Sequence, residues 1–187
     1  MNRHCASCGA ALPEGRPRAC TACGAVEWRN AKPCAAALVV HDGAVLLARR
    51  AHAPWRGLWC APSGFCDGPE HPIAAAEREA LEEVGVAVRV VGYLGTWIDP
   101  YADSPDADAE HVSVQYYAAE PTGTLEPAVD PAEVVEARWF PLDALPDGLA
   151  PPGTLEAALA ALARALSGGG AETPLPDRPQ RSVPAGD

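Results

Sequence analysis

"GFCDGPEHPIAAAEREALEEVGV", residues 64–86, holds six carboxylates in 23 positions, with Glu79, Glu82 and Glu83 inside five consecutive residues. Pro72 suits the first turn of a helix, where an N–H has no partner to lose, and Gly85 suits the left-handed residue that closes one. The stretch therefore predicts a helix over roughly 71–84. On it, positions 79, 82 and 83 stand at i, i+3 and i+4 and share an arc about 100° wide. Ile73, Ala76, Ala80 and Val84 fall on another side and can pack inward. Three like charges on one arc are unfavourable unless something positive sits there. A solvated acidic face is the commonest account of a Glu-rich helix. Against it stand the Trp/Gly/Pro loop that flanks this short helix and the fixed residue types that extend upstream.

Outward from the helix, "CAAALVV" (34–40) reads as a buried strand, "HDG" as a two-residue hairpin turn, and "AVLLARR" as the antiparallel return. Residues 51–69 form a loop rich in Pro, Gly and Trp. Downstream, "VAVRVVGYLGTWI" and the alternating "VSVQYYAA" read as strands, separated by a long acidic loop at 99–110. "VVEARWF" is a further strand and "LDAL" a short helical turn. "TLEAALAALARAL" (154–166) is an amphipathic helix with Leu155, Leu159, Leu162 and Leu166 along one side. The end, 167–187, has almost nothing to bury and is expected to be disordered.

Upstream lie four of the seven cysteines, Cys5, Cys8, Cys20 and Cys23, in a C-x2-C-x11-C-x2-C pattern with glycine after each pair. Zinc takes four soft ligands in a tetrahedron, and a C-x2-C-G turn presents two thiolates to one metal. Disulfides fit poorly with an odd cysteine total, and a redox dithiol needs no second copy. The reading is a four-cysteine zinc ribbon over 1–31, coordinatively closed and so structural. Cys34, Cys60 and Cys66 read as small core or loop residues.

The formal charge of −11 argues against a general nucleic-acid binder. It is uneven: residues 1–33 carry five basic and two acidic residues, leaving nine basic against 23 acidic beyond them. With no run of 18 apolar residues and no apolar signal core in "MNRHCASCGA", the default expectation is a cytoplasmic protein with no membrane contact.

Gly64, five residues, Glu70, seven residues, then Arg78, Glu79, Glu82, Glu83 and Gly85 reproduce the pattern G-x5-E-x7-R-E-U-x-E-E-x-G-U, and on these residues the chain resembles the Nudix hydrolases. Ala80 is smaller than the usual aliphatic, and in the approach "WCAPSG" Ser63 replaces a glycine. The resemblance implies an α/β fold, the Nudix α-β-α sandwich with a mixed sheet, over 32–166 behind the ribbon. It implies hydrolysis of a diphosphate that joins a nucleoside to a second group, with Mg2+ or Mn2+ held by Glu79, Glu82 and Glu83 and by the backbone carbonyl of Ser63. Ser63 and Gly64 would also sit beside the substrate. Glu70 and Arg78 would lock loop to helix, and the general base would be a box glutamate or a distal acid, for which Glu133 and Glu136 are the candidates.

A ribbon before such a domain resembles the layout of NADH pyrophosphatases, although their "SQPWPFP" motif has no counterpart here. The order strand, "DP" loop, "HVSV" strand looks closer to the ADP-ribose pyrophosphatases. Trp97 and Tyr101 are candidates to stack the base, with ordinary strand-end packing as the competing reading. ADP-ribose or an NAD(H)-like dinucleotide is the expected substrate. A catalytically silent nucleotide sensor and an RNA-directed hydrolase that uses the ribbon stay open, as does a homodimer.

Overall fold

The computed structural model describes residues 3–15, 17–28, 30–103 and 110–168. In chain order the elements are β1 (Arg18–Ala19), β2 (Val26–Glu27), β3 (Lys32–His41), β4 (Ala44–Arg50), β5 (Trp59–Cys60), β6 (Ser63–Phe65), α1 (Pro72–Val84), β7 (Val88–Pro100), β8 (His111–Pro121), β9 (Val134–Pro141) and α2 (Thr154–Leu166). Beyond Ser167 and Gly168, the segment expected to be disordered lies outside the described residues, as do 104–109 of the acidic loop.

Strand β3 organises the large sheet. On one side it runs parallel to β8, from Lys32 opposite Val112 to Val39 opposite Ala119. On the other it meets β6 along Cys34–Ala36 and β4 along Val39–His41, both antiparallel. The β3–β4 hairpin turns at Asp42 and Gly43, both with positive φ (47° and 76°), the turn whose twist matches that of paired strands. Strand β9 pairs with β4, and β7 pairs with β8. One parallel contact among antiparallel ones makes the sheet mixed.

Alternation along β3 splits its side chains between two cores. Ala35, Ala37 and Val39 join Ile73, Ala76, Ala80 and Val84 of α1. Cys34, Ala36 and Leu38 join Leu155, Leu159 and Leu162 of α2. A helix on each face of one sheet is the expected α-β-α sandwich. Three local expectations shift. Asp99 and Pro100 belong to β7, paired with Val112 and His111, so the acidic loop is shorter than predicted. "LDAL" is a turn rather than helical, bonded from Leu142 N–H to the carbonyl of Gly43 (3.0 Å). Leu166 is exposed, because the packed side of α2 ends at Leu162.

In the ribbon both cysteine turns have one geometry. Cys5 and Cys20 donate from N–H to Ala10 and Ala25, and accept from Gly9 and Gly24, at 2.8–2.9 Å, with both glycines at φ 74°. Backbone N–H groups of Ser7 and Cys8 lower the Cys5 thiol to about 7, and those of Cys23 and Ala22 lower Cys20. Sulfur–sulfur distances are 3.6 Å for Cys5–Cys23 and for Cys8–Cys20, and all four lie within 4.8 Å of one another. A tetrahedron with metal–sulfur bonds of about 2.3 Å needs sulfurs about 3.8 Å apart. The donor set fits zinc. Among the described residues no helix is long and apolar enough to cross a membrane.

Helix α1 ends at Gly85 (φ 69°), whose N–H donates to the carbonyl of Leu81 (3.0 Å), while the N–H of Val86 donates to the carbonyl of Ala80 (3.4 Å). A Cβ there would stand 2.8 Å from the carbonyl oxygen of Ala128. Gly85→Ala should therefore cost at least about 1–2 kcal/mol from the left-handed backbone alone, which is a Tm lower by roughly 2–8 °C. A thermal melt that matches the parent protein would show that neither strain nor contact matters.

Candidate functional site

Helix α1 carries Glu79 and Glu83 one turn apart, rotated by roughly 40° from each other about its axis. Both are buried, at 8% and 7% exposure. The segment before β9 adds Glu133, and one carboxylate oxygen from each of the three lies within 4.8 Å of the others. Burial pushes the Glu83 carboxyl up to about 8, against the N–H bond it accepts from Ser63 at 3.0 Å. Glu79 is raised too, chiefly by burial. Hard carboxylate oxygens gathered in this way suit a divalent cation.

Arg78 ties the helix to the preceding loop. Its Nε and Nη2 donate to the two oxygens of Glu70 (3.0 and 2.9 Å), and its Nη1 to Glu79 (2.7 Å) and Glu82 (2.8 Å). Nη2 also donates to the carbonyl of Phe65 (3.1 Å). Its pKa is raised, first by Glu70. Gly64 makes the approach feasible: a Cβ there would fall 2.1 Å from Oε1 of Glu79.

Not every expected residue joins the cluster. Glu82 is turned roughly 100° from Glu83; its side chain is 59% exposed, and it bonds to Arg78 rather than to the trio. Glu136 lies on β9 opposite Arg49 and pairs with Arg49 (3.2 Å) and Arg138 (2.6 Å), away from the three glutamates. Trp97 lies over Gly95 and packs edge-on against Tyr116 (5.5 Å), outside the cavity. In contrast, Tyr101, Ser63, Gly64 and Arg78 all line the cavity with Glu79, Glu83 and Glu133.

That cavity, of about 560 Å3, has a wall the sequence reading did not assign. Tyr101 meets Phe65 (ring centroids 5.6 Å) and Trp55 (5.8 Å) edge-on. Trp55 holds φ 62°, unusual for a bulky residue, and its N–H donates to Asp103. The Arg50 guanidinium lies 5.8 Å from the Trp55 ring, donates to the Pro54 carbonyl (2.8 Å) and reaches the Tyr101 hydroxyl (3.5 Å). Cys34 and Cys60 also line it, but burial pushes both thiols up to about 12, which leaves them unreactive. The available signals were the Pro/Gly/Trp loop and the aromatic directly after Gly64.

Residues 31–161 match the family model described as the NUDIX domain. The chain is 34% identical over 151 residues to the NAD-capped RNA hydrolase NudC of Pseudomonas aeruginosa, covering 78% of this chain and 50% of that protein. It is 31% identical over 141 residues to the mitochondrial NAD(P)H pyrophosphatase NUDT13 of Mus musculus, covering 75% and 38%. The chain thus spans about half the length of the curated relatives it matches, or less. A NUDIX hydrolase from Nitrosomonas europaea superposes with a TM-score of 0.74 over 91% of this chain and 96% of that one, at 21% identity, a likeness of fold.

The raised Glu83 carboxyl makes stability depend on pH. Folded Glu83 keeps its proton to about pH 8, whereas the ordinary value is 4.5. Between those values the folded state binds more protons, so this contribution is full below 4.5 and is lost as pH rises through 8. In Mg2+-free buffer, with zinc retained, Tm should fall between pH 5.5 and 8 more steeply for the parent than for Glu83→Gln. Mg2+ should raise Tm more at pH 8 than at pH 5.5. Equal slopes for parent and variant would contradict the assignment of the shift to Glu83.

Proposed function

The chain belongs to the NUDIX family, and on that premise we propose that it hydrolyses the diphosphate of a nucleoside diphosphate joined to a second group. ADP-ribose or an NAD(H)-like dinucleotide is the favoured substrate. The observation that carries this reading is the trio of Glu79, Glu83 and Glu133 lining one cavity with Arg50, Arg78 and the rings of Trp55, Phe65, Tyr101 and Tyr116. The printed names of the curated relatives, an NAD-capped RNA hydrolase and an NAD(P)H pyrophosphatase, support the same substrate class.

Glu79, Glu83 and Glu133 would hold Mg2+ or Mn2+. Such ions neutralise a pyrophosphate, polarise phosphorus and lower the pKa of an attacking water. Attack by water at phosphorus breaks one bridging P–O bond, gives two phosphate monoesters and releases a proton that a carboxylate can accept. The reaction asks mainly for positioning and charge compensation. Arg50 offers a cation to the phosphates, since Arg78 is already bonded to three carboxylates and a carbonyl. Phe65, Tyr101 and Trp55 offer faces and edges to a planar base. The ribbon would hold one structural zinc at Cys5, Cys8, Cys20 and Cys23.

A second reading, an RNA-directed hydrolase, draws support from the NudC name. Two cations in and beside the ribbon count against it: Arg18 is paired with Glu27 (2.8 Å), and Lys32, which begins β3, with Glu110 (2.5 Å). A silent sensor has less support, because every box glutamate is present.

Assayed against ADP-ribose, NADH, nucleoside triphosphates and NAD-capped RNA, the first two should give the highest kcat/KM with Mg2+ or Mn2+. Preference for a triphosphate with both inert would overturn the substrate. Glu83→Gln should lower kcat by several orders of magnitude; a loss below about tenfold, near 1.4 kcal/mol, would put catalysis elsewhere. Tyr101→Ala or Phe65→Ala should raise KM by roughly tenfold or more, from a stacking loss of about 1–3 kcal/mol, and Trp97→Ala by less. Elemental analysis should find about one zinc per chain, lost in Cys20→Ser. Zinc-free protein with an ordered ribbon would contradict that assignment.

A further inference from the structure

Glu133 belongs to no helix, and it precedes β9, yet its carboxylate stays within 4.8 Å of those on Glu79 and Glu83. Two sets of bonds fix its segment. One hangs it on the end of α1: the N–H of Ala128 donates to the carbonyl of Val84 (2.9 Å), and that of Asp130 to the carbonyl of Glu83 (3.0 Å). Carbonyls in a last helical turn have no partner within the helix, so the segment supplies one and is carried by the helix that bears the other two glutamates.

The second set centres on Asp130 and His52. Asp130 Oδ1 accepts from the N–H of Ala132 (2.8 Å), and its carbonyl accepts from the N–H groups of Glu133 (3.1 Å) and Val134 (2.9 Å). His52 Nε2 lies 2.6 Å from the carbonyl oxygen of Ala132; the carbonyl can only accept, so the ring donates. Beside it the N–H of Ala51 donates to the carbonyl of Glu133 (3.0 Å). The peptide groups on both sides of Glu133 are therefore held, from within by Asp130 and from across the cavity mouth by the loop that carries Trp55.

We propose that Asp130 and His52 are positioning residues that hold Glu133 against Glu79 and Glu83, so that the three carboxylates take up one divalent cation together. This rests on the reading of the trio as a metal site. A turn that merely finished a surface loop would leave cation affinity unchanged when broken. A turn that aims Glu133 would not.

The test is calorimetric titration of Mn2+ into full-length, zinc-loaded protein, beside steady-state kinetics and thermal melts. Asp130→Ala and His52→Ala should each weaken Mn2+ binding by tenfold or more. They should lower kcat far more than they change KM. Asp130→Asn keeps an acceptor oxygen and His52→Gln a donor nitrogen, so each should recover affinity to within threefold of the parent. Alanine variants that bind Mn2+ like the parent would overturn the proposal, as would an Asn variant as weak as the Ala variant. If Asp130→Ala does not fold, the His52 pair decides, because that ring is exposed. A parent protein that hydrolyses nothing, with Mn2+ affinities in the expected order, would overturn the proposed function and leave the positioning intact. Active parent protein with unchanged affinities in both alanine variants would do the reverse.

Discussion

A single guanidinium gathers the charges on which this site depends. Arg78 takes both oxygens of Glu70 from the loop, one from Glu79 and one from Glu82 on its own helix, and the Phe65 carbonyl from β6. It thereby fixes the helix to the strand that faces it, and sets how close Glu79 comes to Gly64. What it leaves alone matters as much, since its salt bridges reach Glu70, Glu79 and Glu82 and not Glu83 or Glu133. Two carboxylates no more than 4.8 Å apart repel by at least about 3 kcal/mol at an effective dielectric constant of about 20. That exceeds the 0–1 kcal/mol or so of an ordinary surface ion pair. Burial first, and this repulsion second, hold a proton on Glu83 when no cation is bound. With a divalent cation present the same repulsion becomes binding energy.

Backbone contacts supply the precision that charge alone lacks. A carboxylate can approach a strand within bonding range only where no side chain intervenes, and Gly64 is that place. One residue earlier, Ser63 keeps the N–H that steadies Glu83. The replacement of the usual glycine by serine at 63 is tolerated because this residue lies within β6, opposite Ala36, and does not need a left-handed backbone.

Which parts of this were legible in the sequence follows from how local their causes are. The β3–β4 turn, the limits of α1 and its left-handed end are set by a few adjacent residues, and all were readable. So was the fold, because the box residues are fixed by contacts with one another. Which glutamates converge was not. A helical arc 100° wide looks uniform in sequence, but the 60° or so that separates Glu82 from Glu79 carries it out to Arg78 and solvent. The partners that Glu136 finds, Arg49 and Arg138, were not legible either. A bulge between Arg49 and Arg50 shifts the register of β4 on β9, and nothing in "ARR" or "VVEARWF" marks it. Trp97 was named for its type, but packing over Gly95 and against Tyr116 takes it elsewhere. Trp55 and Phe65 escaped because their meeting with Tyr101 joins segments far apart in the chain.

The acidity of the chain then has a consistent place in the chemistry. A surface with a formal charge of −11 repels a pyrophosphate at long range, so affinity must arise at short range. Two devices in the cavity can provide it. Cations held by the carboxylates would cancel charge on the proposed diphosphate, and Arg50 adds one fixed positive group to the cavity wall. Aromatic edges at Phe65, Tyr101 and Trp55 act on the uncharged end of a ligand and are indifferent to the field. A ligand with two planar groups joined by a diphosphate uses both devices, whereas a bare phosphate chain uses one. The parts are placed accordingly: Glu79 and Glu83 rest on helix α1 and Arg50 on the end of strand β4, with Glu133 just ahead of β9. Phe65 ends strand β6, whereas Trp55 and Tyr101 sit on connections, where stacking tolerates more movement.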